Sequence, residues 1–335
     1  MLIGKQTWSF PNAPILLAGA AIVGKTEGEG PLKTSFDKIY EDAWLGQESF
    51  EKAEQNLLEE AGRAAITKAN LKPEQIDLFI AGDLMNQITS SSFSARGLNI
   101  PYLGLFGACS TSMESLALAA QIVSGGFAKR VLAATVSHNN TAEKQFRNPN
   151  EYGAQRPPTA QWTVTGAGAA VVVDVGDGPK IRAATIGKVV DMGCTDPLDM
   201  GSAMAPAAVD TICRHLQDRE IPPEYYDLIV TGDLGNVGNK IATKLLAEKG
   251  IYLDQTKFND CGLLIFDREK QNVFSGGSGC GCCASVTYGY LLSQMQKGLL
   301  NKVLIVATGA LMSPLTYQQM ESIPGIAHAV ALERS

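Results

Sequence analysis

The sequence predicts an α/β fold made by duplication, with two mixed, mainly parallel sheets covered by helices. Three observations carry this. Apolar runs rich in β-branched residues alternate with long stretches of helical period, the pattern of strands buried between helix layers. The segment 76–87 (IDLFIAGDLMNQ) returns as 226–237 (YDLIVTGDLGNV). Asp77, Gly82, Asp83, Leu84 and Asn86 match Asp227, Gly232, Asp233, Leu234 and Asn236 at a constant offset of 150 residues. Two more pairs follow in the same order, 126–135 with 298–308 and 168–174 with 326–332. Matched elements in one order indicate an internal repeat, with halves 1–178 and 179–335.

The bulk properties agree. The chain has 335 residues, 45% of them hydrophobic, enough for about two domains at ~150 residues each. Net charge is -6 and no Lys/Arg run exceeds two, so nucleic acid is not an expected partner. Seven cysteines, three of them within 280–283, point to reduced thiols and a reducing compartment. No stretch has the length of a signal peptide or a spanning helix, so a soluble or peripheral protein is expected.

In chain order, 14–23 reads as an apolar strand, followed by a Gly/Lys/Glu-rich loop suited to a mobile flap. Residues 51–70 form an amphipathic helix with Ala53, Leu57, Leu58, Ala61, Ala64 and Ala65 at helical spacing. A strand within 76–87 ends in Gly-Asp, and a short helix around 91–98 precedes a strand at 102–106. The next helix has Met113, Leu116, Ala117, Ala120 and Val123 on one face, with Leu118, Ala119 and Ile122 on the other. A helix apolar all round is buried on every side. Thr111 and Glu114 have capping-box spacing, with Ser110 competing for the cap, and Gly125 and Gly126 end the helix. A strand at 131–135 leads into a long polar loop, 137–162, of a length that carries function in compact domains. A Gly-rich strand, 166–175, closes the half.

The stretch 106–115 (FGACSTSMES) places Cys109 at the mouth of that buried helix. Unpaired amides and the positive dipole end there favour anions and lower a thiol's pKa, so the position suits a nucleophile or an anion site. It equally suits a small buried side chain. Ligands in such folds bind at strand ends near a switch in topology, so Asp83, Asp233 and the 137–162 loop are expected to converge on Cys109. Both aspartates also suit turn caps. His138 is the functional candidate among the histidines; His215 reads as a solvated helix end and His328 as a core residue. Lys144, Arg147 and Arg156 read as solvated. Cys280 and Cys283 form a single CxxC with no nearby His, better explained as small residues opening a buried helix than as a metal site.

A cysteine opening the central helix of the first half and a Gly-rich turn opening its mate resemble the thiolase superfamily, and in size and order the ketoacyl-acyl carrier protein synthase III branch. Closer still, GDLMNQ, LFGACSTSMES, SHNNTAEKQFRNPNEYG, DMGSAMAPAAVDTI and FSGGSGCGCC resemble the stage V sporulation protein AD family of endospore-forming bacteria. The superfamily implies a thiolase-like αβαβα layered fold and Cys109 as acyl acceptor, supported by a His and an Asn from the second half. Here Asp233 stands near the His position, the turn around 276–283 lacks the Asn, and His328 replaces a Gly-rich turn. An acid beside a cysteine disfavours its thiolate, so the catalytic residues of the synthase pattern are read as absent and acyl transfer is the alternative function.

The sporulation family implies a non-catalytic protein that binds dipicolinic acid, free or as its calcium chelate, for uptake into the developing spore with membrane components of the same channel. On that resemblance Cys109, Ser110, Asp83, Asn86, His138, Asn139, Glu143 and Gln145 are the ligand-binding candidates. The amides of Ser110 and Thr111 would receive the anion, Lys129, Lys144 or Arg147 would add charge, and Asp83 and Glu143 would face the calcium. No cofactor is expected beyond calcium carried by the ligand. A homodimer paired through the first-half sheet edge is expected, located at the cytoplasmic side of the spore inner membrane.

Overall fold

The protein is seen in a computed structural model that describes residues 1–146 and 156–334; Arg147, with the rest of 147–155, lies outside the described residues. Ten strands build the sheets. The first half supplies β1 (Ile15–Val23), β2 (Leu78–Gly82), β3 (Tyr102–Gly104), β4 (Arg130–Ser137) and β5 (Gly166–Val173). The second supplies β6 (Lys180–Ile186), β7 (Leu228–Thr231), β8 (Phe258–Asp260), β9 (Lys302–Ala310) and β10 (Gly325–Glu333). Their order is β8-β7-β9-β10-β6-β1-β5-β4-β2-β3. In each half one strand, β5 or β10, runs against the others, and the remaining strands are parallel. The two sheets join edge to edge at a single antiparallel pair, Lys180 with Ile15.

The helices fill three layers. An outer layer is formed by α1 (Phe50–Lys68) and α2 (Thr89–Leu98), and a central layer by α3 (Thr111–Ser124). The first half also carries a short helix, α4 (Asn139–Phe146), inside the segment expected to be loop. In the second half α5 (Met200–Arg219) and α6 (Gly235–Glu248) form the opposite outer layer. The mate of α3 is α7 (Cys280–Ser285), which runs on through a π-helical turn, Val286–Leu291, to Leu292–Gln296.

Strand alternation assigns the layers. On β2, Phe79 and Ala81 face α1 and α2 while Ile80 faces α3. On β9, Leu304 and Val306 pack on the α5 side while Val303 and Ile305 meet the central layer. The result is an αβαβα sandwich, as the sequence predicts.

Local sequence explains most of the element boundaries. Ser49 caps α1 by accepting from the Lys52 amide at 3.2 Å, and Leu57, Leu58, Ala61 and Ala65 are buried. The expected capping box on α3 does not form. Instead Ser110 Oγ donates to Gly107 O and Thr111 Oγ1 to Ala108 O, both at 2.7 Å, closing a tight turn. The loop after β1 is pinned, not a free flap: Gly24 N donates to Thr165 O at 2.8 Å, and buried Glu27 accepts from the Thr165 amide at 3.0 Å.

His215 is a correction. It does not sit on a solvated helix end but is fully buried on α5, and its ring ties three elements together. Arg219 donates to the Tyr226 hydroxyl, so Tyr226 donates to His215 Nε2 (2.6 Å). His215 Nδ1 then donates to Thr185 (2.7 Å), Thr185 to Thr7 (2.8 Å), and Thr7 to the Asp218 carboxylate (3.1 Å). Each donor in this chain has one acceptor, running from a cation to an anion and fastening the N-terminal hairpin to β6. Burial, reinforced by Arg219, pushes His215 down from 6.5 to about 3.

His215→Leu leaves two hydroxyls unpaired and should cost about 3 kcal/mol in denaturant unfolding. In the native protein the neutral ring stabilises fully above the unfolded value of 6.5, and this contribution declines as pH falls toward about 3. The variant should lose that slope; an unchanged acid profile would refute the network.

Candidate functional site

The N-terminal end of α3 meets the end of β9 because glycines permit it. A Cβ on Gly82 would lie 2.2 Å from Leu105 O, and one on Gly309 would lie 2.4 Å from Gly107 O. Ala108 takes a left-handed backbone (φ 52), an uncommon conformation outside glycine, and delivers Cys109 to a cleft between the halves. The cleft is lined by Leu84, Phe106, Ala108, Cys109, Ala142, Phe146, Thr163, Met200, Ser278, Ala310 and Met312, and encloses about 40 Å³. That is room for water but not for an aromatic ring with two carboxylates, so ligand entry requires the lining to part.

Of the predicted residues, only Cys109 lines the cleft itself. Ser110 is buried beside it, and the amides of Ser110 and Thr111, expected to receive an anion, are spent on Gly107 O (3.1 Å) and Ala108 O (3.3 Å). Asp83 accepts from the amides of Met85 (2.8 Å) and Ser91 (2.7 Å) and from the Ser91 hydroxyl (2.6 Å), holding the start of α2. Asn86 is exposed and Gln145 half-buried. His138 is buried, with Nε2 donating to Ala43 O (2.8 Å) and Nδ1 accepting from Asn140 N (3.2 Å), which fixes a neutral tautomer. Burial brings His138 down to about 4. Asn139 bonds Thr165 Oγ1 (3.0 Å) and Thr163 O (3.2 Å), fixing the first turn of α4. Glu143 pairs with Arg156 at 3.0 Å. The structure therefore brings Cys109, Asn139 and Glu143 to one side, while Asp83 and His138 spend their polar atoms on backbone.

Lys129 lies exposed before β4, whose other end approaches α7, and Lys144 pairs with Glu51 at the surface (2.6 Å). Arg156, read as solvated, is only 20% exposed, and its guanidinium lies over the Trp162 ring at 5.2 Å.

Several buried groups near the cleft were not singled out in the sequence. Glu54 accepts from Thr141 Oγ1 on α4 (2.7 Å), and burial, with the nearby Asp83, holds its carboxyl well above the ordinary range. Its position on the stripe 54, 57, 58, 61, 65 was legible. Asp233 is fully buried; the amides of Thr308 and Gly279 approach it, but neither carboxyl oxygen has a hydrogen-bond partner. Burial, then Cys283 and Asp260, raise it well above the carboxylate range. Burial likewise raises the Cys280 thiol, which donates to Val136 O at 3.0 Å. Cys280, Cys282 and Cys283 are all buried where α7 meets the core, as small helix-opening residues. No group of three or more metal-ligating side chains is found among the described residues.

This architecture, with a cysteine turn at a cleft between duplicated halves, defines a thiolase-like protein. It covers 98% of the human mitochondrial 3-ketoacyl-CoA thiolase fold in reverse proportion: 98% of this chain aligns with 99% of that enzyme in complex with CoA, at TM-score 0.61 and 14% identity. The 3-oxoacyl-[acyl-carrier-protein] synthase III of Aquifex aeolicus VF5 aligns over 96% of this chain and 99% of its own, at TM-score 0.58 and 16% identity. These likenesses show the fold. Residues 4–333 match the stage V sporulation protein AD family, and the chain belongs to it. The stage V sporulation protein AD of Bacillus subtilis (strain 168) is 52% identical over 334 residues, covering 100% of this chain and 98% of that protein.

Glu27 offers a test of the packing behind the cleft, since it bonds the Thr165 that receives Asn139. Burial raises its carboxyl from 4.5 to about 8. Native protein therefore holds a proton that unfolded chain releases, so this stabilisation is complete below pH 4.5 and lost as pH rises through about 8. Glu27→Gln keeps the acceptor and removes the titration, and its Tm should vary less across that window. An unaltered pH dependence would show Glu27 to be charged in the fold.

Proposed function

We propose that this chain binds dipicolinic acid, free or as its calcium chelate, and serves its uptake into the developing spore. The observation that carries the reading is full-length membership in a sporulation family on a fold whose reaction centre is altered. Asp233, near the histidine position of the synthase pattern, is a buried acid, and the two ring nitrogens of His138 and of His215 are committed to structural hydrogen bonds. His328 is buried in β10, accepts from Gly187 N at 3.3 Å, and is brought down to about 4 by burial. A cleft walled by Phe106, Phe146, Met200 and Met312 suits the flat face of an aromatic ring.

The second reading is acyl transfer of the synthase III type. It is favoured by one observation, the left-handed Ala108 turn that presents Cys109 to the cleft. Partner proteins in the spore membrane complete the uptake reading; no helix among the described residues is long and apolar enough to cross a membrane. A homodimer would form through β3, an edge strand paired only with β2, where Leu103 is 48% exposed and Phe106 51%.

Calorimetry with dipicolinate, with and without calcium, should show saturable heat, and silence at concentrations on the order of millimolar would sink the reading. Incubation with short acyl-coenzyme A should leave the mass at Cys109 unchanged. A stable adduct lost in Cys109→Ser would establish the acyltransferase instead. Leu103→Glu should convert a dimer to monomer in light scattering; a monomeric wild type removes the edge-pairing proposal.

A further inference from the structure

We propose that Arg156 receives a carboxylate of the ligand in the cleft, a role that rests on the dianion reading above. Arg156 bridges the two elements forming one side of the cleft: its Nη2 pairs with Glu143 on α4 at 3.0 Å, and its guanidinium lies over Trp162, whose neighbour Thr163 is part of the lining. Ala142 and Phe146, on either side of Glu143 in α4, line the same cleft.

The second nitrogen of the fork is the informative atom. Nη1 is enclosed and has no hydrogen-bond partner. Buried cationic donors are seldom left unbonded, because the desolvation is uncompensated. A guanidinium is a planar fork that takes carboxylates through adjacent nitrogens. Glu143 occupies one prong and leaves the other for a second carboxylate, while Trp162 holds the plane by a cation–π contact. The amides at the mouth of α3 are used within their own turn, and Lys144 is held at the surface by Glu51. The charge that meets a dianion therefore comes from the far side of the cleft and not from the helix end.

The test is calorimetric titration of the full chain with dipicolinate in the wild type, Arg156→Gln, Arg156→Lys and Glu143→Gln. Loss of the guanidinium in Arg156→Gln should raise Kd at least about tenfold, with Arg156→Lys intermediate because it keeps the charge without the fork. Glu143→Gln removes the competing carboxylate and should tighten binding. Equal weakening by Arg156→Gln and Glu143→Gln would mean that the pair is only a structural tie and would overturn the proposal. So would wild-type affinity in Arg156→Gln, which leaves the dipicolinate reading standing. A wild type that binds no dipicolinate removes both.

Discussion

Two helices with no polar face, α3 and α7, must be enclosed between two sheets, and the rest of the molecule follows from that constraint. Met113, Leu116, Ala117 and Ala120 on one helix, and Cys282, Cys283, Ala284 and Val286 on the other, share a single core with the inner faces of both sheets. Enclosure brings the helix ends against strand ends at backbone distance, which is why Gly82 and Gly309 stand where any Cβ would collide. It also places Cys109, Cys280 and the ends of β2, β4 and β9 around one narrow cleft. The site is thus a consequence of how the core closes.

Duplication supplies this frame, and the two halves then use it differently. Asp83 and Asp233 hold equivalent places after β2 and β7. Asp83 fastens the start of α2 through three donors. In the second half that work belongs to Asp260, which receives the amides of Leu234 and Gly235 at the start of α6, with Thr231 and Gly262. Asp233 is released from the structural task and left as a neutral acid beneath the cleft, where a carboxylate would carry an uncompensated desolvation cost. Burial raises Asp260 as well, to about 6 despite its donors. The interior around the cysteines is therefore rich in acids and holds them uncharged, a setting unlike the one a condensing cysteine requires.

Much of the fold and the place of the site were legible. The 150-residue repeat, the all-apolar helix after Cys109 and the Gly-Asp strand ends each report local chemistry that the chain carries wherever it goes. The partners of the polar residues were not. His215 has the sequence surroundings of an exposed helix end yet is buried, because the hairpin carrying Thr7 and the strand carrying Thr185 close over it. Arg156 sits in a polar segment that reads as solvent-facing, and is enclosed by Glu143 and Trp162.

What the sequence by itself determined is therefore periodic or local: the elements, their duplication, the turn that offers Cys109, and the family. Burial patterns recur at fixed spacing and survive in one dimension. What only the tertiary structure decided is which polar atoms remain unspent once the chain has closed. Hydrogen-bond satisfaction depends on residues far apart in sequence, so the amides at Ser110 and Thr111 proved occupied while Arg156 Nη1 and the Asp233 carboxyl proved open.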